Sequence, residues 1–259
     1  MIQKKVTDHL GRTIEFSSPP KRITSLAPGI TDTLYSLNLE EEVVGRTRYC
    51  IHPKEAVQQA ETVGGTKRIM LDKIQALKPD LIFAEKEENT KEIVETLEKE
   101  FPVFVAEVQS VPEAYRMISD VGAVTDRQAE AEKLAATIQK GFQSLPVNPG
   151  KRIAYVIWKN PYMAAGNHTY IHSLFETMGF VNVFSHYEGR YPVVTEENFK
   201  QAELDYVFLA TEPFPFKEEH IKEFSNALPN ATVMSIDGEM FWYGPRMVEA
   251  ARYFRKVLG

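Results

Sequence analysis

The chain has 259 residues, a length that fits one large domain or two small ones. Its 43% hydrophobic and 25% charged residues are ordinary for a globular protein, and no segment approaches the roughly 18 apolar residues of a membrane span. The formal net charge of −6 argues against binding to nucleic acid or to an anionic membrane, which both need a concentrated basic surface. Cys50 is the only cysteine, which excludes an internal disulfide and a cysteine-based metal site.

The first hundred residues alternate between strand and helix patterns. Residues 22–26 form a short apolar run that predicts a strand, and Thr31 or Asp32 is expected to cap a helix before a second strand at 43–44. The pattern then repeats with a helix at 71–77, a strand at 81–84, a helix at 89–100 and a strand at 101–105. This alternation predicts a largely parallel sheet with helices on its faces.

The stretch from 111 to 145 is predicted to be helical throughout, because it has no strand-like run and is rich in helix-forming residues. Thr125 or Asp126 is expected to cap a second, longer helix within it. About 20 residues at about 1.5 Å each would make that helix roughly 30 Å long, enough to cross a small domain.

The alternation restarts after this stretch, with a strand at 152–158, a helix at 168–178, strands at 206–210 and 232–236, and a closing helix at 244–258. We therefore predict an α/β fold of two lobes joined by a helical connector. The expected divisions are an N-terminal lobe at 1–110, a helical connector at 111–147 and a C-terminal lobe at 148–259. The two halves of the chain thus share a pattern of strands and helices, but we see no repeat of the sequence itself.

The motifs of common enzymes are missing from the sequence. It contains no GxSxG nucleophile elbow and no P-loop, and the histidine pair His168 and His172 lacks the intervening glutamate of zinc proteases. Ordinary surface or capping histidines are the favoured interpretation of that pair. We predict no catalytic residue, no metal ligand and no resident cofactor.

Aromatic and cationic side chains recur at predicted strand ends and loops, where open parallel sheets bind their ligands. The predicted ligand-binding residues are Arg48, Tyr49, Lys67, Trp158, Tyr162, Trp242 and Arg246. Flat aromatic walls suit a large ring system, and Arg and Lys suit the anionic oxygens of a chelate. The alternative is that such residues are core aromatics or solvated charges, and Arg246, near the start of a helix, could make a structural bond instead.

Several short motifs follow one another in an order that covers nearly the whole chain. They are residues 7–12 (TDHLGR), 20–23 (PKRI), 71–74 (LDKI) and 77–82 (LKPDLI), then Asn160-Pro161, residues 194–197 (VTEE) and Pro245-Arg246. Together they resemble the cobalamin and iron-chelate binding proteins of ABC importers, the class III periplasmic binding proteins. The resemblance implies two Rossmann-like lobes joined by a long rigid α-helix. It also implies a non-catalytic protein that captures cobalamin, a ferric siderophore or haem in an inter-lobe cleft and delivers it to a permease with its ATPase.

The same resemblance implies that a carboxylate on each lobe docks onto arginines of the permease, at the positions of Asp72 and Glu197. Glu196 is an adjacent alternative to Glu197. Relatives that take cobalamin often carry a tryptophan near Thr66, where this chain continues with Lys67, so the identity of the chelate stays open.

Residues 1–16 do not have the pattern of a secretory signal. We expect a periplasmic or otherwise extracytoplasmic monomer whose signal has been removed, with no direct membrane insertion. The alternatives are a cytosolic chelate-binding module and an enzyme that processes a metal chelate.

Overall fold

A computed structural model describes residues 2–259 of the chain. The chain forms two compact units, each an α/β assembly. The first comprises the residues up to Val108 together with Pro112–Gln139, and the second comprises Gln109–Val111 together with Lys140–Gly259. The predicted α/β fold class is thereby confirmed.

The first unit opens with an antiparallel hairpin of β1 (Ile2–Thr7) and β2 (Thr13–Ser18), which the sequence analysis did not predict. Its turn is organised by Asp8, whose side chain is buried and accepts hydrogen bonds from the backbone N–H groups of Leu10 (3.0 Å) and Arg12 (2.9 Å). The Arg12 guanidinium pairs with the same carboxylate at 2.7 Å. A buried carboxylate held in this way fixes the turn.

The sheet of the first unit has five parallel strands in the order β5-β4-β3-β8-β9. The strands along this stretch are β3 (Ile23–Ser25), β4 (Val43–Arg46), β5 (Glu61–Thr62), β6 (Gly64–Gly65), β7 (Arg68–Ile69), β8 (Leu81–Glu85) and β9 (Val103–Ala106). β6 and β7 form a separate antiparallel hairpin. Every residue of β8 is buried, as expected for a central strand covered on both faces.

The helices that cover this sheet are α1 (Pro28–Ser36), α2 (Leu71–Leu77) and α3 (Lys91–Leu97). α1 begins earlier than predicted, since Thr31 and Asp32 lie inside it and do not cap it. Proline at the first helical position explains the earlier start, because its missing N–H is not needed there. α3 is capped by Thr90, whose side chain accepts the Ile93 N–H.

Two helices follow, α4 (Val111–Thr125) and α5 (Gln128–Phe142). The break between them falls at Asp126, whose φ of 61° lies in the left-handed region. The prediction that Thr125 or Asp126 caps the second helix was wrong, since Thr125 ends α4 and α5 begins only at Gln128. The prediction of a longer second helix was wrong: each helix has 15 residues, or about 22 Å. A side chain at Gly122 would clash with Ala131, so glycine lets the two helices approach closely. The last residues of α5 belong to the second unit.

The sheet of the second unit runs in the order β13-β11-β10-β14-β15, with β12 paired to β10. Its strands are β10 (Arg152–Trp158), β11 (Tyr162–Ala164), β12 (Val181–Asn182), β13 (Val193–Val194), β14 (Tyr206–Ala210) and β15 (Thr232–Ile236). β10, β14 and β15 are mutually parallel, and β11 turns back antiparallel to β10. The helices are α6 (Tyr170–Thr177), α7 (Glu196–Gln201), α8 (Glu218–Ala227) and α9 (Arg246–Leu258).

The sequence Lys-Arg-Ile stands at the start of the first parallel strand in both units. Its arginine makes the same set of hydrogen bonds in each unit, which we call the Lys-Arg-Ile clamp. In the first unit the Asp80 carboxylate accepts the backbone N–H of Arg22 at 2.9 Å, and the Arg22 guanidinium donates to the Leu77 carbonyl at the end of α2. In the second unit Asp205 accepts the N–H of Arg152 at 2.8 Å, and the Arg152 guanidinium donates to carbonyls just after α7. The similarity between the two units therefore extends to a short stretch of sequence. Because the arginine of each clamp bonds to the end of α2 or of α7, these two helices occupy equivalent positions in their units.

Candidate functional site

In the first unit, Arg48 and Tyr49 follow the carboxyl end of β4 and form one stacked pair. The guanidinium carbon of Arg48 lies 5.0 Å from the Tyr49 ring centroid, and its NH2 donates to the Tyr49 hydroxyl at 3.1 Å. Both residues are exposed, with Tyr49 48% accessible. The pair rests on Gly65, where a Cβ would lie 3.2 Å from the Tyr49 ring. An exposed cation–aromatic pair of this kind can contact a flat, anionic ligand.

Lys67 lies at the tip of the β6–β7 hairpin, two residues after Gly65, which contacts the Arg48–Tyr49 pair. The structure thus brings Arg48, Tyr49 and Lys67 into one region of the first unit. Its ammonium group donates to the Glu87 carbonyl in the loop after β8. Asn89 ties this hairpin down by donating to the Thr66 carbonyl at 3.0 Å. These three predicted residues thus share the loops after parallel strands, where ligands bind in such sheets.

Two carboxylates in the same loops were missed by the sequence analysis. Glu85, the last residue of β8, is 2% exposed and accepts N–H bonds from Glu87, Glu88 and Val108. Burial raises its pKa to about 7, although the three N–H donors act in the opposite direction. Burial also raises the pKa of Glu88, and the neighbouring Glu87 adds to the effect. The signal in the sequence was an acidic residue ending an otherwise apolar strand.

In the second unit, Trp158 ends β10 and is 39% exposed. Its indole packs edge-on against Phe214 in the loop after β14, with ring centroids 5.7 Å apart. Trp242 follows β15 and is partly buried, and its Nε1 donates to Glu212 at 2.7 Å. Trp158 therefore stands at the carboxyl end of one parallel strand of this sheet, and Trp242 lies in the segment that follows another.

Arg246 is the first residue of α9 and its side chain is only 12% exposed. It pairs with Glu239 at 2.9 Å and with Glu249 one turn along the helix. The structural bond considered from the sequence is thus present. Any contact with a ligand would compete with these two carboxylates.

Tyr162, in β11, is turned toward α7 and α8. Its ring packs edge-on against Phe199 and Phe224, with centroids 5.9 Å and 5.2 Å away. Its hydroxyl donates to Glu223 at 2.6 Å. Burial and the bond to Glu223 raise the pKa of the phenol. Tyr162 thus belongs to an aromatic cluster distinct from the contacts of Trp158 and Trp242.

The two predicted docking residues occupy corresponding positions. Asp72 is the second residue of α2, and Glu197 is the second residue of α7. Both are exposed. Glu197 accepts a hydrogen bond from Gln201 at 2.8 Å on its own helix. Because the Lys-Arg-Ile clamps make α2 and α7 equivalent, these carboxylates are equivalent as well.

Among residues 2–259, no group of three or more His, Cys, Asp or Glu side chains is arranged to hold a metal ion. Across the same residues, none of the helices combines the length and apolar character that crossing a membrane requires.

A model of the periplasmic binding protein family matches residues 23–230. The chain belongs to this family. The vitamin B12-binding protein of Vibrio cholerae is 27% identical over 184 residues, or 69% of this chain and 66% of that protein. The matched region therefore spans slightly less than two thirds of that curated relative.

Two solved structures share the fold. A chain of the ABC-type Fe3+-hydroxamate transport system of Saccharomonospora viridis superposes with a TM-score of 0.79 at 21% identity, covering 100% of both chains. The periplasmic heme binding protein HutB of Vibrio cholerae gives 0.78 at 18% identity, covering 92% of this chain and 98% of that one.

Proposed function

We propose that this protein is the extracytoplasmic substrate-binding component of an ABC importer and that its ligand is a metal chelate of the cobalamin, ferric siderophore or haem class. The observation that carries the proposal is the match of residues 23–230 to the periplasmic binding protein family. The vitamin B12-binding relative supports the ligand class. The protein binds its ligand and does not transform it.

The chemistry of the loops after the parallel strands suits such a ligand. The Arg48–Tyr49 pair presents a cation on an aromatic face, and Lys67 adds a second positive charge nearby. Trp158 offers a partly exposed indole. Aromatic surface matches the macrocycle or apolar backbone of a chelate, and the cations match its carboxylates or phosphate.

Within the predicted set, five residues support this assignment more strongly than the other two. They are Arg48, Tyr49, Lys67, Trp158 and Trp242. Tyr162 and Arg246 contribute least, because Glu223 engages the first and Glu239 and Glu249 engage the second. The contribution of both units to a single ligand site rests on the sequence prediction and on family membership.

Delivery to the membrane is proposed to use Asp72 and Glu197, which contact arginines of a permease that works with an ATPase. Their exposure and their equivalent helix positions support this role. Charge pairs between partners mainly govern recognition and association rate. The protein acts as a monomer in this scheme.

Ligand titration tests the proposal directly. Trp158 and Trp242 are the only tryptophans, so quenching of their fluorescence reports binding at the proposed site. Cyanocobalamin, haemin and two ferric hydroxamates are titrated in turn, with metal-free porphyrin and desferri-hydroxamate as controls. We expect one chelate to bind with a Kd below about 10 μM, equivalent to about 7 kcal/mol. Failure of every chelate at that concentration would overturn the assignment.

A further inference from the structure

The loop that follows β14, residues 211–217, contacts both tryptophans of the chain. Phe214 packs edge-on against Trp158, and the carboxylate of Glu212 accepts the Nε1–H of Trp242 at 2.7 Å. All of these residues lie in the second unit. A single loop therefore supports the two aromatic side chains that the proposed function assigns to ligand binding in this unit.

This loop is fixed to the strands on both sides of β14. The Thr211 N–H donates to the Ile236 carbonyl of β15 at 3.1 Å, and the Thr211 hydroxyl accepts the Gly238 N–H at 3.0 Å. Further along the loop, the Phe214 N–H donates to the Ile157 carbonyl of β10 at 3.4 Å. Side chains carried by the loop are therefore held in place before a ligand arrives.

The side chain of Glu212 lies against Gly238, which begins a short 3-10 helix at Gly238–Phe241 just before Trp242. A Cβ at Gly238 would come within 2.4 Å of the Glu212 Cγ, so this close approach requires glycine. The backbone of Trp242 is fixed by the same helix, because its N–H donates to the Glu239 carbonyl at 3.2 Å. The carboxylate and the indole are thus both held where their hydrogen bond forms.

The bond between Glu212 and Trp242 joins a charged acceptor to a neutral donor. The indole has one polar atom, a donor, which usually finds a partner when the ring is partly buried. A hydrogen bond to an ionised carboxylate is roughly twice as strong as one to a neutral acceptor. The pKa of the Tyr155 phenol is raised by burial and, to a smaller extent, by the charge of Glu212, which places this carboxylate near the phenol as well.

We propose that Glu212 is a positioning residue, which holds the Trp242 indole in the orientation that the chelate contacts. This inference rests on the proposed function, because that function makes Trp242 a ligand-binding residue. With its Nε1–H donated to Glu212, Trp242 offers the chelate the apolar surface of its ring. Fixing the ring beforehand raises affinity, because less side-chain freedom is lost when the chelate binds.

The first test needs no chelate and follows the indole N–H signals of the intact, isotope-labelled protein by NMR. The chain has two tryptophans, so Trp158→Phe identifies the signal of Trp242. We expect Glu212→Ala to speed deuterium exchange of the Trp242 indole about tenfold, because the N–H loses its acceptor. Gly238→Ala, which displaces the carboxylate but keeps its charge, should act in the same direction. Glu218→Gln, at an exposed carboxylate that begins α8, should change neither indole signal.

Exchange that stays as slow in Glu212→Ala as in the wild type would overturn the proposal. Gly238→Ala keeps the test decisive if Glu212→Ala fails to fold. Wild-type exchange in Gly238→Ala would then show that the position of the carboxylate does not matter to the indole.

The second test measures binding of cyanocobalamin, haemin and a ferric hydroxamate by calorimetry. For the chelate that binds the wild type, Glu212→Ala should weaken binding about tenfold. In a Trp242→Ala background the same change should weaken it less than about twofold, because Glu212 acts through the indole. Glu212→Gln should stay within about threefold of the wild type, since its amide oxygen can accept the same N–H. An equal loss from Glu212→Ala with and without Trp242 would overturn the proposal.

The two tests separate this inference from the proposed function. If none of the three chelates binds, the proposed function fails, whereas faster exchange in Glu212→Ala would still show that Glu212 holds the Trp242 indole. If a chelate binds the wild type and Glu212→Ala equally well, the proposed function stands and the positioning role is overturned. A purely structural role would give the latter pattern together with a lower free energy of unfolding in Glu212→Ala.

Discussion

Replacing Glu85 with glutamine should remove a pH dependence from the stability of the protein. Glu85 is buried at the end of β8, and its pKa is raised from 4.5 to about 7. Between these two values the folded protein holds a proton that the unfolded chain releases. The stabilisation that this proton gives the folded protein is therefore fully present below pH 4.5, and it is lost as the pH rises through about 7.

The size of the effect follows from the shift. A difference of about 2.5 pKa units corresponds to about 3 kcal/mol over the whole range, and to about 2.5 kcal/mol between pH 5 and pH 8. Glutamine cannot titrate, so the free energy of unfolding of the variant should lack this dependence on pH. The glutamine side chain also presents an amide to the backbone N–H donors of Glu87, Glu88 or Val108. This should lower the stability of the variant by about the same amount at every pH.

The assay is urea unfolding at pH 5, 6, 7 and 8, with Glu132→Gln as the control for removal of an exposed carboxylate from the same unit. The stability of wild type minus that of Glu85→Gln should fall by about 2.5 kcal/mol from pH 5 to pH 8. The same difference for Glu132→Gln should stay nearly constant. Parallel pH profiles for wild type and Glu85→Gln, within about 0.5 kcal/mol, would refute the reasoning.

Three further predictions concern the ligand and the partner. Reversing Asp72 and Glu197 together to lysine should reduce transport at least tenfold in proteoliposomes while chelate affinity stays within twofold, and equal loss of both would contradict a docking role. Trp158→Ala and Trp242→Ala should each weaken chelate binding by about thirtyfold, or about 2 kcal/mol, in calorimetric titrations, and wild-type affinity in both would remove them from the site. Lys67→Met should weaken haemin, with its propionates, about tenfold more than a neutral chelate, and an equal effect on both would show that Lys67 makes no ionic contact.

The sequence predicted strands and helices best where burial dictates the residue type. The strands at 152–158, 206–210 and 232–236 were placed correctly. The first two are central parallel strands, which need continuous apolar runs, and the third is the edge strand β15. The opening hairpin was missed because β1 is mostly exposed and carries lysines at Lys4 and Lys5. Its turn depends on the buried carboxylate of Asp8, a tertiary feature that local patterns do not contain.

Side-chain partners could be predicted only in part. The sequence correctly identified Arg246 as a residue that could bind within the structure, since acidic residues stand nearby along the chain. It gave no indication that Tyr162 meets Glu223, because 61 residues separate them. Contacts at that separation follow from how α8 packs beside β11, and composition or periodicity cannot supply that.

The position of the docking carboxylates has a local explanation that must be set against the proposed one. An acidic residue in the first turn of a helix stabilises it through the helix dipole by about 0.3–1 kcal/mol. Asp72 and Glu197 both occupy such positions, so helix stability alone could account for either of them. The local effect is small and confined to this protein, whereas docking acts through a partner.

Single neutralising changes therefore distinguish the two explanations. Asp72→Asn and Glu197→Gln keep the side-chain shape and remove the charge, so each should lower the free energy of unfolding by less than about 1 kcal/mol. If the carboxylates dock, each change should also cut transport severalfold, and the double change should multiply the two losses, because two contacts on one partner reinforce each other. Glu203→Gln, on an exposed carboxylate just after α7, should affect neither quantity. A stability loss in Asp72→Asn and Glu197→Gln, with transport unimpaired in both, would leave the helix dipole as the sufficient reason for both residues.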